Sequence, residues 1–182
     1  MSIRKAHISE VPRIKQLIDE HRQETFMLPR PLSELYESLR DYFVWEEDGV
    51  VCGCVGLQIV WEDLAEIKSL VVDRSGRGKG WGKALVRQCL LEAKAMQIDR
   101  VFALTQSPQF FAKLGFELVD KAELPHKVWA ACIKCYKFPN CDETAVGVRI
   151  SAMPAALLEP EAEGQLVSSA VAGSLSAVES VG

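Results

Sequence analysis

The sequence predicts an α/β fold, and three observations carry that expectation. Between residues 2 and 133, short apolar runs rich in β-branched residues recur among stretches whose apolar side chains return at helical spacing. Asp48-Gly49 splits the run YFVWEEDGVVCGCVGLQIVW into two strands joined by a tight hairpin, since both residue types accept the positive φ that such a turn demands. The strand AEIKSLVV ends at Val72 and passes through a glycine-rich loop into a helix. That helix runs from near Gly82 to Met96 on Leu85, Val86, Cys89, Leu90, Ala93 and Met96.

The other elements follow in order. Residues 2–6 read as a short strand. Ser9 is placed to cap a helix with Pro12 in its first turn and with Val11, Ile14, Leu17, Ile18 and His21 facing inward. A second helix, carrying Leu32, Leu35, Tyr36 and Leu39, follows the linker MLPRP. Beyond the long helix come a strand over Val101–Thr105, a short helix near Gln109–Leu114, and strands near Phe116–Val119 and Lys127–Ile133. The texture changes at Gly147, and from Ser151 onward there is no aromatic and no basic residue. One domain is therefore expected over residues 1–146, with a disordered low-complexity tail over 147–182.

The loop DRSGRGKGWGKAL, Asp73 to Leu85, sets Gly76, Gly78, Gly80 and Gly82 among Arg74, Arg77, Lys79 and Lys83. A glycine costs roughly 1 kcal/mol against alanine inside a helix, so such a run belongs where backbone turns at positive φ or approaches something closely. The N–H groups of the following helix's first turn, reinforced by its dipole, make the same place an anion cradle suited to phosphate. Two nucleotide loops fail on spacing. A P-loop requires Ser or Thr after Gly82-Lys83, where Ala84 stands, and a glycine where Arg77 stands. The dinucleotide fingerprint would need its last glycine at Trp81, Lys83 or Leu85.

Composition narrows the partners. The 182 residues hold 25 acidic and 21 basic side chains, a net charge of −4. Four of the glutamates lie in the last 32 residues, which leaves 21 of each sign in the remainder. Neither nucleic acid nor an anionic membrane is implied. No apolar run reaches the about 18 residues of a membrane span, and MSIRKAHISE has no hydrophobic signal core. A cytoplasmic protein with reduced cysteines is expected.

Arg77-Gly78-Lys79-Gly80-Trp81-Gly82 matches Arg-x-x-Gly-x-Gly, and it resembles the acyl-CoA loop of the GNAT acetyltransferase superfamily. The element order β-α-α-β-β-β-α-β-α-β-β is also that of the GNAT fold, a mixed sheet with helices on both faces, over about 140 residues. Within the superfamily, Phe102–Thr105, Phe110-Phe111, Gly115-Phe116 and Leu124–Lys127 resemble the C-terminal half of N-acetylglutamate synthases. A stand-alone version without the kinase-like domain is expected, and arginine feedback is not carried over.

The resemblance implies acetyl-CoA as co-substrate. Its pyrophosphate would be held by the backbone of Arg77, Gly78, Lys79, Gly80, Trp81, Gly82 and Lys83, and its acetyl carbonyl by main-chain N–H groups at Leu70, Val71 and Val72. The acceptor would be an amino acid, L-glutamate first, made into N-acetylglutamate on the way to arginine. Acetylation of another small amine or of a protein N-terminus, and a non-catalytic acyl-CoA sensor, stay as alternatives. A homodimer is left open.

Acetyl transfer to an amine requires a proton acceptor. Strand alternation sets Glu66, Lys68 and Leu70 on one face, which family geometry turns into the cleft, so Glu66 is the candidate base; a surface ion pair with Lys68 is the competing reading. Arg30 is the candidate for the acceptor's carboxylate because its fork binds both oxygens. Lys68, Lys127 and, by resemblance, Thr105 are further acceptor-side candidates, with a solvated surface charge as the alternative for Arg30 and both lysines. Many GNATs place a tyrosine four residues before the Gly-Phe glycine as general acid. Here that position is Phe111, so no general acid is assigned. His126, Cys132, Cys135 and Cys141 have zinc-like spacing, but no second Cys-x-x-Cys exists, and no metal is expected. Cys52 and Cys54 are expected to pack in the core.

Overall fold

A computed structural model of the chain describes residues 1–25, 27–125, 133 and 140–158. Among the described residues seven strands form one sheet: β1 (Ser2–Lys5), β2 (Tyr42–Glu47), β3 (Val50–Trp61), β4 (Leu64–Val72), β5 (Arg100–Thr105), β6 (Glu117–Leu118) and β7 (Thr144–Arg149). The helices are α1 (Val11–Glu24), α2 (Leu32–Glu37), α3 (Trp81–Ala95) and α4 (Pro108–Ala112). The sheet order is β1-β2-β3-β4-β5-β7-β6, antiparallel throughout except between β4 and β5. Asp48 and Gly49 both take positive φ in the β2–β3 hairpin, as their residue types predict.

Alternation along the strands supplies two cores. Phe43, Trp45, Val55, Leu57, Ala65 and Ile67 pack under α3 through Leu85, Cys89 and Leu90. Tyr42, Val44, Cys54 and Val71 pack on the opposite face against Val11, Ile14, Leu17 and Ile18 of α1. An irregularity in β3 between its Trp45 and Glu46 partners turns Cys52 and Cys54 to opposite faces, and both thiols are buried.

Two local expectations are corrected. The first helix is entered through a 3₁₀ turn, Ile8–Glu10, and its start is held by Glu10, whose Oε2 accepts the His7 N–H at 2.7 Å, not by Ser9. In α2, Leu35 is buried while Leu32 and Tyr36 are exposed, because a helix of 6 residues turns little of its surface inward. Among the described residues, the last strand of the sheet in chain order is β7. The strand expected at Lys127–Ile133 lies, apart from Ile133, outside the described residues.

β7 lies between β5 and β6, with Ala145 and Val146 buried. It runs through the domain end expected at residue 146. Ile150 and Leu158 join the core under α3, with Met153 packed against it, so ordered packing reaches Leu158. Gly147 is needed there: a Cβ would stand 3.0 Å from Val119 Cγ1.

The site-forming irregularities lie in β4. Its parallel pairing with β5 is limited to Leu64–Arg100, Ala65–Val101 and Glu66–Phe102, after which the strands part. Against β3 the register jumps from Gly56–Lys68 to Cys54–Val71, so Ser69 and Leu70 together face Val55 in a bulge. Ser69 takes φ 53°, unusual for a residue with a side chain. Its hydroxyl accepts from Tyr42 Oη at 3.2 Å, and its carbonyl from Cys54 Sγ at 3.6 Å.

Ending the chain at Ile150 removes Leu158, which is 7% exposed. Relative to a chain ended at Leu158, it should lose about 1.5–3 kcal/mol of stability from that burial alone. A chemical-denaturation midpoint equal in both would show that this segment does not contribute to the core.

Candidate active site

The glycine loop does two jobs. Gly76 closes the 3₁₀ turn Arg74–Gly76, and its N–H reaches Asp73. A Cβ on it would fall 2.0 Å from Trp81 Cε3, so Gly76 is the seat of that ring. Trp81 is 2% exposed and stacks on Trp45 with centroids 4.9 Å apart, which pins the start of α3 to β2. Its ring is thus committed to the core, and only its backbone remains for a ligand. Gly78 and Gly80 take φ 79° and 88°, and Gly80 caps α3 in the left-handed region. Among the described residues, the N–H groups of Gly78, Gly80, Trp81, Gly82 and Lys83 are not spent on backbone carbonyls. They form a cradle with the positive end of the helix behind it.

Basic side chains surround the cradle. Glu24, at the end of α1, pairs with Arg74 and with Arg77 Nη1 at 2.6 Å, and Arg77 Nη2 approaches His21 Nδ1 at 3.5 Å. The two arginines hold the Glu24 carboxyl below its usual range, while burial, then the Arg77 charge, depresses His21. The first turn of α3 faces α4, where a Cβ on Gly82 would stand 3.5 Å from Phe110 Cζ.

Glu66 stands where β4 and β5 part, as the last residue of β4 paired with β5. Burial raises its carboxyl above the usual range, against the pull of Arg30 and Lys68. Lys68, 6% exposed on the same face, has its ammonium depressed by burial and then by Arg30, and it donates to Gln58 Oε1 at 3.1 Å. Arg30, in the segment before α2, pairs with Glu34 Oε1 at 2.5 Å. The charge of Arg30 acts on Glu66, Lys68 and Tyr42 alike. The Glu66–Lys68 surface pair considered from sequence is therefore absent: Lys68 is buried and Glu66 half-buried, and the lysine bonds an amide.

Beyond the bulge, Val71 is buried against α1, while Leu70 and Val72 are partly exposed. Thr105 ends β5 on the diverging arm, its Oγ1 accepting the Ser107 N–H at 3.0 Å. Phe111 is buried edge-on to Phe110 and Phe116, with centroids 5.2 Å away in each case, so it serves the core. Lys127, His126, Cys132 and Cys135 lie outside the described residues. Cys141 accepts from Lys121 Nζ at 3.6 Å, and among the described residues no His, Cys, Asp or Glu group is arranged to hold a metal. Sequence reasoning missed Gln58, Gly56 and Tyr42. Their signal was register, since Gly56 and Gln58 face Lys68 and Glu66 across the β3–β4 pair.

A mixed sheet that forks at a charged cleft, beside an N–H cradle opening a helix, is the architecture of an acyl-CoA N-acyltransferase. Residues 11–116 match the model of the Acetyltransferase (GNAT) family. The chain belongs to this family; it is an N-acetyltransferase, and acetyl-CoA is its co-substrate. It is 36% identical over 137 residues to an amino-acid acetyltransferase of Mycobacterium tuberculosis, covering 74% of this chain and 78% of that one. An uncharacterized N-acetyltransferase of Chlorobaculum tepidum is 33% identical, over 79% of this chain and 93% of its own length. Among solved structures, Rv2747 of M. tuberculosis in complex with CoA and NLQ aligns with a TM-score of 0.71 at 31% identity, over 82% of this chain and 99% of that one. N-acetylglutamate synthase from Neisseria gonorrhoeae, complexed with coenzyme A and N-acetyl-glutamate, aligns at 0.75 and 26% identity, but only 35% of that longer chain is covered. No helix among the described residues is long and apolar enough to cross a membrane.

Gly76→Ala should destabilise the protein by about 1–3 kcal/mol or more, because the methyl overlaps the Trp81 ring and cannot move it off Trp45. Gly82→Ala, whose Cβ meets only ordinary contacts, should melt at or above the wild-type temperature. Equal melting of the two variants would refute the seat assigned to Gly76.

Proposed function

We propose that the protein transfers the acetyl group of acetyl-CoA to the α-amino group of an amino acid, L-glutamate above all, by direct attack within a ternary complex. The observation that carries this reading is the cluster at the fork: a desolvated carboxylate at Glu66, without an ion-pair or hydrogen-bond partner among the described residues, beside the cations Arg30 and Lys68, on the strand that leads into the N–H cradle. The cradle fits a pyrophosphate through its free N–H groups and basic rim. Acetyl-CoA supplies an acetyl group already activated as a thioester. The relatives named for amino-acid acetylation and the neighbour complexed with N-acetyl-glutamate support the choice of acceptor.

Each residue then has a task. Arg30 and Lys68 draw in the acceptor's carboxylates, and their positive charge opposes binding of a protonated amine that carries no carboxylate. Glu66 takes a proton from the acceptor's ammonium, which frees the nitrogen lone pair to attack the acetyl carbon. A carboxyl raised by burial is a stronger proton acceptor than an exposed one, so the desolvation of Glu66 favours that step. N–H groups at Leu70–Val72, left without a β5 partner, are suited to the carbonyl oxygen as it gains charge. No side chain is assigned to protonate the departing thiolate, since Phe111 has no proton to give.

Release of CoA thiol should be measured with a panel of amino acids, with L-glutamate expected to give the highest kcat/KM. Turnover with neutral amines at equal efficiency would refute the anionic acceptor. Glu66→Gln should lower kcat by roughly 10² to 10⁴-fold while acetyl-CoA still binds; wild-type turnover in that variant would leave the carboxylate without a catalytic task. Arg30→Ala should raise KM for the acceptor roughly 10- to 100-fold, the worth of one charge-assisted contact, with KM for acetyl-CoA little changed. A rise in both constants together would make Arg30 a structural residue tied to Glu34.

A further inference from the structure

Gln58 takes no part in the chemistry above, yet it stands beside both of its charged groups. Across β3 and β4, Gln58 is the direct partner of Glu66, and Gly56 is the direct partner of Lys68. The space left by Gly56 is filled by the lysine stem: a Cβ there would lie 3.2 Å from Lys68 Cγ and 3.5 Å from Lys68 Cε. The stem therefore crosses over β3 and delivers its ammonium diagonally to Gln58 Oε1 at 3.1 Å. A buried ammonium requires an acceptor, and here an uncharged amide meets that need. Glu66 lies only two residues away on the same face, about 7 Å along the strand, and among the described residues its carboxylate makes neither a hydrogen bond nor an ion pair.

We propose that Gln58 is a positioning residue that holds the Lys68 ammonium off Glu66, so that the carboxylate meets the incoming ammonium without an internal counter-ion. This rests on Glu66 being the proton acceptor. The charges facing Glu66 are Arg30 ahead of α2, Lys68 on β4 and Glu143 ahead of β7. Those facing Lys68 are Arg30, Asp41 ahead of β2, Glu66, and Glu34 on α2. Glu34 is already engaged by Arg30. An ammonium released by Gln58 thus has two carboxylates to turn to, Asp41 and Glu66.

The test is the pH profile of kcat/KM, whose acid limb reports the base in the free enzyme. Gln58→Leu combined with Asp41→Asn leaves Glu66 as the acceptor for Lys68. Pairing with a cation lowers a carboxyl's pKa, so the limb should move to lower pH by about one unit or more relative to Asp41→Asn alone, with kcat reduced because the base is occupied. Gln58→Glu sets a second carboxylate against Glu66 and neutralises Lys68, so the limb should move to higher pH. Opposite shifts from one position are not what a loosened core produces. A limb that stays in place, or moves the same way in both variants, overturns the proposal. Glu66→Gln is measured beside them. If it abolishes the limb while the Gln58 variants leave the limb unmoved, the role of Gln58 alone falls. If the limb persists without the carboxylate, the base assignment falls and the shielding role with it.

Discussion

β4 and β5 run parallel, pair through Leu64, Ala65 and Glu66, and then part, and the rest of the molecule is arranged around that parting. A sheet interior normally satisfies every backbone N–H and C=O, so two central strands that separate leave a row of groups on β4 in want of partners. The sheet is not ended by the fork, because β7 pairs with the whole length of β5 and carries it on to β6. α3 and α4 close one side, meeting at Gly82 and Phe110. What stays open is a cleft whose apex is Glu66 and whose β4 arm carries Lys68, the bulge at Ser69, and the glycine loop in succession.

The charges at the apex are held under strain. Desolvation is the largest influence on both Glu66 and Lys68: it outweighs their mutual attraction and, at Glu66, the pull of Arg30, whose charge at Lys68 adds to it. For Glu66 the folded-state value lies above the unfolded one, so the native state binds more protons and its stability declines as pH rises past the ordinary carboxylate range. Under the proposed function a charged acceptor would relieve this arrangement, its carboxylates answering the cations and its ammonium answering Glu66. At the cradle the balance differs: Glu24 compensates Arg74 and Arg77 at the surface, where such pairs contribute little to stability and serve instead to hold side chains in place.

Legibility followed the range of the interactions concerned. The hairpin turn, the buried faces of α1 and α3 and the loop glycines were readable because each depends on residues a few positions apart. β7 was not. Its alternation is short and weak, its composition blends into the segment that follows, and it is a strand because β5 and β6 present edges to it. The cap on the first helix likewise went to Glu10, which Arg4 of the neighbouring strand also holds. Phe111 could be excluded as a proton donor by its chemistry, but its place in an aromatic cluster needed Phe110 and Phe116 to be brought together by the turn between α4 and β6.

The sequence by itself determined the class of fold, the order of its elements, and the chemistry of the loop, since helix and strand periodicity and the freedom of glycine are local properties of the chain. Tertiary structure alone decided which charges are neighbours. Lys68 and Glu66 lie two residues apart, and an ion pair between them was the competing reading, yet register with β3 put an empty glycine site under the lysine and an amide at its tip. Burial then shifts Glu66 upward and Lys68 downward, because desolvation depends on what every other element packs overhead and not on the two residues themselves.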